Sequence, residues 1–186
     1  APAGVLNIQN NTVNARTGVT GASDYTWGIN VWSVQAGATI NVTNNSVGNS
    51  GGEFGRGINL WNLPTSSTVT VSGGTVGNSL VGINLDNVDP YFGVGSNTMV
   101  NVSGNPVVTV GSGQIGIRAR SAMVNTVAPN GSTTLVLNNA TVVTSGTAIG
   151  VEADAPTAST TNMATVYLSG GTAVNGGSST PVLING

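Results

Sequence analysis

The octapeptide VTVSGGTV at residues 69–76 alternates apolar and polar residues, turns at two glycines and restarts with a threonine and a valine. The same pattern returns as LNIQNNTV (6–13), INVTNNSV (40–47), VNVSGNPV (100–107), LVLNNATV (135–142) and VYLSGGTA (166–173). Successive copies begin 34, 29, 31, 35 and 31 residues apart, an average of 32. Repeats of this length are typical of a solenoid, in which each copy is one coil stacked on its neighbours.

A second pattern runs in phase with the first: WGINVW (27–32), RGINLW (56–61), VGINLD (81–86), IGIRAR (115–120) and IGVEAD (149–154). Period-2 alternation places Ile40 and Val42 on an inner face and Asn41 opposite them. The Asn or Gly pair that ends the first strand tolerates positive φ, which allows a sharp corner. A third short strand is therefore expected to begin after that pair.

These patterns predict an all-β fold: a right-handed single-stranded parallel β-helix of about six coils, with about three short strands per coil. No window has helical periodicity, because Gly, Asn and β-branched residues interrupt each one. Residues 1–186 are expected to form one domain, and the hand follows the rule for parallel crossovers. An antiparallel sandwich is the alternative. The long variable segments 86–98, 121–133 and 155–161 are expected to project as loops from one corner.

Composition excludes several functional classes. Charged residues make up only 5% of the chain, which contains 28 glycines, no cysteine and no histidine. All four basic residues are arginine, too few to hold a phosphate backbone, so nucleic acid is not an expected partner. No apolar run is long enough for a membrane helix, and the first residues do not resemble a signal peptide. A surface of uncharged amides and hydroxyls indicates a mature, extracellular protein.

Stacking the second pattern in register predicts two columns of outward side chains. The first, which we call the amide column, contains Asn30, Asn59, Asn84, Arg118 and Glu152. The second, which we call the terminal column, contains Trp32, Trp61, Asp86, Arg120 and Asp154. Asn30, Asn59 and Asn84 are expected to form a structural ladder of side-chain amides.

The terminal column supplies the candidate binding residues. Arg120 is predicted to lie between Asp86 and Asp154, which gives surface ion pairs that need no ligand. A second interpretation treats the two carboxylates as a glycosidase pair. They would lie two strand spacings apart along the stack, which is about the distance between the two carboxyl groups of an inverting enzyme. The intervening Arg120 argues against that reading, because catalysis requires one carboxyl with a raised pKa.

The tryptophans of the terminal column allow two interpretations. Trp32 and Trp61 are predicted to stack as a flat platform for sugar rings or a protein partner. Alternatively, they only cover one another or lie beneath a loop. No catalytic residue, cofactor or metal site is predicted, since zinc-type and redox sites need the missing His or Cys and the acidic residues are scattered.

The repeats VTVSGGTV and VYLSGGTA, each near a Gly-Ile or Gly-Val strand, resemble coils of bacterial autotransporter passenger domains. These are the exported parts of type V secretion systems, and many are surface adhesins. The resemblance covers nearly the whole chain in repeat style. It implies a parallel β-helix displayed on a Gram-negative cell surface, where it adheres to host cells or to other copies. The chain shows no recognisable serine protease site, and it lacks the Asp-, His- and Lys-rich motifs of pectin-cleaving β-helices.

The sequence therefore predicts a non-enzymatic cell-surface or secreted β-helix that displays loops for adhesion or self-association. A subunit of an extracellular filament or matrix, built by head-to-tail stacking of coils, is the second hypothesis. A carbohydrate-binding or carbohydrate-cleaving β-helix is the third. The expected partner is a host-surface or carbohydrate ligand, or another copy of the chain, without membrane insertion. Because an open stack exposes unpaired backbone groups, the 186 residues are expected to be a piece of a longer passenger or a polymer subunit.

Overall fold

The computed structural model describes residues 4–20, 26–32, 34, 37–61, 63, 67–86, 98–111, 113–120, 133–154, 164–176 and 180–185. Eighteen strands within these ranges form three six-stranded sheets, which we call sheets A, B and C. Every third strand along the chain enters the same sheet. Three consecutive strands therefore make one coil, and six coils stack, which confirms the predicted β-solenoid.

Each sheet takes one strand from every coil. Sheet A contains β1 (Val5–Gln9), β4 (Thr39–Thr43), β7 (Thr68–Ser72), β10 (Thr98–Ser103), β13 (Thr133–Asn138) and β16 (Ala164–Ser169). Sheet B contains β2 (Thr12–Ala15), β5 (Ser46–Gly51), β8 (Thr75–Val76), β11 (Val107–Val110), β14 (Thr141–Thr144) and β17 (Ala173–Gly176). Sheet C contains β3 (Trp27–Trp32), β6 (Phe54–Trp61), β9 (Ser79–Asp86), β12 (Ile115–Arg120), β15 (Ile149–Asp154) and β18 (Thr180–Asn185).

Neighbouring strands pair in the register that the repeat predicts. In sheet A, Leu6 lies opposite Ile40, and Ile40 lies opposite Val69. In sheet C, Ile83 lies opposite Ile117. The named strands pair in parallel throughout, so the antiparallel alternative is wrong for the described part of the chain. The hand of the coil stays a prediction.

Inward-facing aliphatic side chains form one continuous core along the stack. The inner residues of sheet A include Ile40, Val69 and Val100, which are fully buried, and Val47 and Leu60 are equally buried in sheets B and C. Full burial of such a side chain contributes about 1.5–3 kcal/mol. A single coil has no second layer above or below it, so only stacking removes these side chains from water.

The corner between sheets A and B repeats one backbone conformation in all six coils. The first residue after each strand of sheet A has a φ between 53° and 69°, in the left-handed region that favours Gly and Asn. These residues are Asn10, Asn44, Gly73, Gly104, Asn139 and Gly170. The sharp corner predicted from the Asn and Gly pairs is confirmed.

A column of glycines lies within the sheet C strands, close to the valines of sheet B: Gly28, Gly57, Gly82, Gly116 and Gly150. A Cβ at any of them would lie 2.3–2.5 Å from a Cγ1 atom of a valine in sheet B. The same Cβ would lie 2.5–2.7 Å from a carbonyl oxygen of the next coil. The glycine of the Gly-Ile and Gly-Val patterns is thus required by close approach of two sheets and two coils, and not by positive φ.

The connections from sheet C back to sheet A hold the long variable segments. Asp86 ends β9 before Thr98 begins β10, Arg120 ends β12 before Thr133 begins β13, and Asp154 ends β15 before Ala164 begins β16. The flanking strands therefore place all three segments at one corner, as predicted. The interiors of these segments, in which the projecting loops were expected, lie outside the described residues.

Candidate functional site

The two predicted columns exist in full register on sheet C. In the amide column, Asn30, Asn59, Asn84, Arg118 and Glu152 lie opposite one another in successive coils. The terminal column pairs Trp32, Trp61, Asp86, Arg120 and Asp154 in the same way. Each residue of the terminal column also ends its strand, where the chain turns from sheet C toward sheet A.

Side-chain amides of the amide column form the predicted ladder. Asn59 Nδ2 donates to Asn30 Oδ1 at 2.7 Å, and Asn84 Nδ2 donates to Asn59 Oδ1 at 2.8 Å. Arg118 continues the chain, because its Nε donates to Asn84 Oδ1 at 2.8 Å. Every donor thus points toward the preceding coil. A guanidinium takes the position where a fourth asparagine would extend the ladder.

The side chains in the middle of this face are buried, which the sequence did not predict. Asn59, Asn84 and Asp86 are almost inaccessible, and Glu152 is also buried. Surface ion pairs, each worth about 0–1 kcal/mol, were expected here. The charges are instead held at low exposure, where an ion pair has a high desolvation cost and loss of one partner strongly destabilises the fold.

Arg56 joins the site although it belongs to neither predicted column. Its Nη1 donates to Asn59 Oδ1 at 3.0 Å, and its Nη2 lies 3.8 Å from Asp86 Oδ2. Arg120 Nη2 approaches the same carboxylate oxygen at 3.2 Å. Asp86 is therefore shared by two guanidiniums from the coils on either side of it. The only sequence signal for Arg56 is that an arginine opens the pattern RGINLW, where other coils have an apolar residue or tryptophan.

Burial shifts the pKa of two groups in the amide column. Burial lowers the pKa of Arg118, and the positive charge of Arg120 lowers it further. Burial raises the pKa of Glu152, although the positive charge of Arg118 opposes this change. Both pKa shifts disfavour the charged form of the side chain, as expected for ionisable groups that are buried away from water.

An aromatic cluster occupies the first two coils of the face. The rings of Trp32 and Trp61 stack with centroids 5.7 Å apart and planes inclined by 23°. Trp27 lies against Trp61 at 6.4 Å with its plane tilted by 56°. Trp32 remains 48% exposed. The predicted stacking of Trp32 on Trp61 is confirmed, while the use of this platform to bind a ligand stays a prediction.

A G-x-S-x-G pentapeptide is present at residues 48–52, as GNSGG, although no recognisable serine protease site was expected from the sequence. Ser50 lies in β5 of sheet B, with its backbone N–H donating to Asn14 Oδ1 at 3.2 Å. The motif acts in hydrolases when its serine occupies a strand-to-helix turn beside a histidine base. Here the serine lies within a strand and the chain contains no histidine. The pentapeptide therefore shares only its residue spacing with the hydrolase motif.

The described residues contain no group of three or more acidic, His or Cys side chains arranged to hold a metal ion. They also contain no helix with the length and apolar character needed to cross a membrane.

Comparison with protein-family models, with curated proteins and with solved structures found no match to this chain. The structure shows a parallel β-solenoid, and the resemblance to autotransporter passengers stays a prediction from the repeats.

Proposed function

We propose that this chain is a non-enzymatic β-solenoid of a bacterial cell surface whose sheet C outer face binds a ligand. One observation carries the proposal: the tryptophans and most of the charged residues of the chain lie in the strands of sheet C. Six of the ten charged residues lie in strands β6, β9, β12 and β15, and all three tryptophans lie in β3 and β6. Aromatic and Arg side chains are the residues that dominate binding energy at protein surfaces.

The position of the terminal column supports this proposal. Three of its residues, Asp86, Arg120 and Asp154, directly precede the long segments 87–97, 121–132 and 155–163 in the chain. Segments that vary in length on a rigid scaffold are where binding residues are most often found. A rod of this kind holds the residues of one face in a fixed arrangement, as expected of a passenger domain that displays an adhesive surface.

The geometry favours binding over sugar cleavage. Asp86 and Asp154 are two rungs apart, but the Asp86 carboxylate is 3% exposed and is already contacted by Arg56 and Arg120. A general acid must reach the glycosidic oxygen of its substrate. The buried Asp86 is therefore unsuited to that role, and we propose no catalytic residue.

A glycan array probed with the purified chain tests this function. The wild-type chain is expected to bind a subset of oligosaccharides, and the double variant Trp32→Ala/Trp61→Ala is expected to lose that binding at least tenfold. Val143→Ala is the matched control, because Val143 is an exposed apolar residue in sheet B, away from the proposed binding face of sheet C. Equal binding by the tryptophan variant and the wild type, with intact β-sheet circular dichroism in both, would refute the proposal.

Self-association is a second candidate, favoured by the apolar residues at the two ends of the stack. In coil 6, Leu168 is 47% exposed and Ile184 is 77% exposed, whereas Leu137, which lies one coil inward from Leu168, is fully buried. Leu6 in coil 1 is likewise exposed, and its neighbour Ile40 is buried. A further coil of the same pattern would cover either end. Where a second copy supplies that coil, chains join head to tail in an open, non-closing contact.

Negative-stain electron microscopy over a concentration series tests this second candidate. Filaments of constant width with an axial repeat of about 29 Å, six rungs of ~4.8 Å, are the expected result. Ile184→Lys should abolish them, while Val143→Lys on the side of the rod should not. Isolated short rods at every concentration would eliminate self-assembly and leave ligand binding in place.

A further inference from the structure

Coil 3 takes a shorter path from sheet B to sheet C than its neighbours do. Val76 in sheet B and Ile83 in sheet C are seven residues apart in the chain. In coil 2 the residues paired with them, Val47 and Ile58, are eleven residues apart. The equivalent residues of coil 4 are nine apart. Strand β8 is correspondingly only two residues long, against six in β5. The rod is therefore indented at coil 3, between two longer coils.

A recess of about 440 Å³ occupies this indentation. Gly48 and Asn49 line it from coil 2, Thr109 lines it from coil 4, and Gly77 and Asn78 of coil 3 lie between them. The volume is within the range of small-molecule sites, about 300–1,000 Å³. Asn49, Asn78 and Thr109 are exposed, so a ligand can reach the recess from solvent. The recess adjoins the beginning of β9 and β12, whereas the terminal column lies at the end of these strands.

Three oxygen atoms surround a point in the recess where the chain has no side chain. A Cβ on Gly77 would lie 3.4 Å from Gly48 O, 3.7 Å from Asn49 Oδ1 and 3.9 Å from Thr109 O. These oxygens come from the coils on either side of coil 3, and each of them is a hydrogen-bond acceptor. A ligand hydroxyl near this point can donate to one of them. Glycine at position 77 keeps that space open and allows a ligand to approach the backbone.

The side chain of Gln114 holds the two walls of the recess together. Its Oε1 accepts from the backbone N–H of Gly111 at 2.6 Å, and its Nε2 donates to Glu53 Oε1 at 2.5 Å. Glu53 lies between β5 and β6, so this second bond passes over coil 3 and joins coil 2 to coil 4. Walls that are fixed before the ligand arrives reduce the conformational entropy that is lost on binding.

The groups around the recess favour an uncharged ligand with many hydroxyls. The described residues that line it carry amides and hydroxyls but no charge, and Ser145 of coil 5 adds a further exposed hydroxyl. Amides and hydroxyls both donate and accept hydrogen bonds, as the hydroxyls of a sugar do. An apolar ligand would leave these groups without partners. The carboxylate of Glu53, bonded to the lining residue Gln114, disfavours an anion.

We propose that the recess at coil 3 is a further binding site of this chain and that its ligand is a neutral saccharide. One sugar hydroxyl donates to the oxygens around Gly77, and the Asn78 amide and the Thr109 and Ser145 hydroxyls bond the other hydroxyls. The site does not depend on the binding face proposed for sheet C, because the two lie at opposite ends of the sheet C strands.

Calorimetric titration with lactose, maltose and cellobiose tests this site, with glucuronate as the anionic comparison. At least one neutral disaccharide is expected to bind with a millimolar Kd, and glucuronate about tenfold more weakly. Gly77→Ala adds a methyl group among the three oxygens with no contact shorter than 3.4 Å, so the fold should persist while the affinity falls about tenfold. Gly4→Ala, whose Cβ would meet nothing within 4 Å, is the matched control and should bind as the wild type does. Thr109→Val, which removes one hydroxyl from an exposed strand position, should weaken binding roughly threefold.

The outcomes separate this site from the binding face on sheet C. Loss of binding in Gly77→Ala but not in Trp32→Ala/Trp61→Ala would support the recess. The reverse result would place the sugar on sheet C and overturn the recess as its site. Absence of binding to all three disaccharides, or equal affinity for glucuronate, would also overturn the assignment. If Gly77→Ala lowers the Tm, unchanged affinity in Thr109→Val rejects the site instead.

Discussion

The glycine column between sheets B and C predicts that one added methyl group destabilises the whole stack. In Gly116→Ala the new Cβ would lie 2.5 Å from the carbonyl oxygen of Gly150 and 2.5 Å from Val142 Cγ1. Ordinary contact begins at about 3.4 Å, so each neighbour must move by about 0.9 Å. The carbonyl belongs to the next coil, and a shift of that size breaks one or two ladder hydrogen bonds.

These two effects set the size of the destabilisation. Overpacking costs about 1–3 kcal/mol, and each lost backbone hydrogen bond costs about 1 kcal/mol. We therefore expect Gly116→Ala to lower the free energy of unfolding by about 2–5 kcal/mol. The corresponding fall in Tm is roughly 4–20 °C for a chain of this length. Urea and thermal unfolding followed by circular dichroism measure both quantities.

Gly111→Ala is the matched control for this prediction. A Cβ at Gly111 would have Gln114 Oε1 as its nearest neighbour at 3.5 Å, and its φ is not in the left-handed region, so its stability should change by less than ~1 kcal/mol. The double variant Gly116→Ala/Val142→Ala should recover only part of the loss, because the carbonyl contact remains. Stability of Gly116→Ala within ~0.5 kcal/mol of the wild type would refute the close-approach explanation.

Two predictions concern the buried charges of sheet C. Asp86→Asn leaves Arg56 and Arg120 without their shared carboxylate and should destabilise the chain by about 2–4 kcal/mol in urea unfolding. Asp154→Asn, whose carboxylate forms no salt bridge within the described ranges, should cost less than ~1 kcal/mol, and equal losses would contradict a special role for Asp86. Glu152 has a raised pKa in the folded state, so its contribution to stability is present at acid pH and is lost as the pH rises through that pKa. Glu152→Gln should therefore reduce the fall in stability between pH 4 and pH 7 relative to the wild type, and an unchanged pH profile would contradict a raised pKa of Glu152 in the folded state.

Much of the candidate site could be predicted because a solenoid converts sequence period into spatial neighbours. Once the coils are aligned on VTVSGGTV and its copies, residues one period apart must lie on adjacent rungs. Trp32 on Trp61, and Arg120 between Asp86 and Asp154, follow from that alignment alone. The αL corner was also predictable, because Asn44 and Gly73 belong to the few residue types that adopt positive φ at low cost.

Burial and pairing on sheet C could not be predicted in this way. The alternation of apolar and polar residues assigns Asn59 and Asp86 to the outer face, but it does not show whether that face is exposed to solvent. The role of Arg56 was missed because its partner Asp86 lies thirty residues away, in a different column of the next coil. Register predicts which Cα atoms are opposite, whereas the reach of a long side chain across columns depends on the packed structure.

The sequence by itself therefore determined the coil, its period, its corners and the register of its columns, because each of these depends on local conformation and on repetition. Only the tertiary structure decided why Gly116 and its equivalents must be glycine, since the atoms that exclude a side chain come from another sheet and another coil. It also decided that the charges of sheet C are shared and buried. Desolvation and ion pairing depend on what surrounds a group in three dimensions. The alternation of residues along one strand does not predict those surroundings.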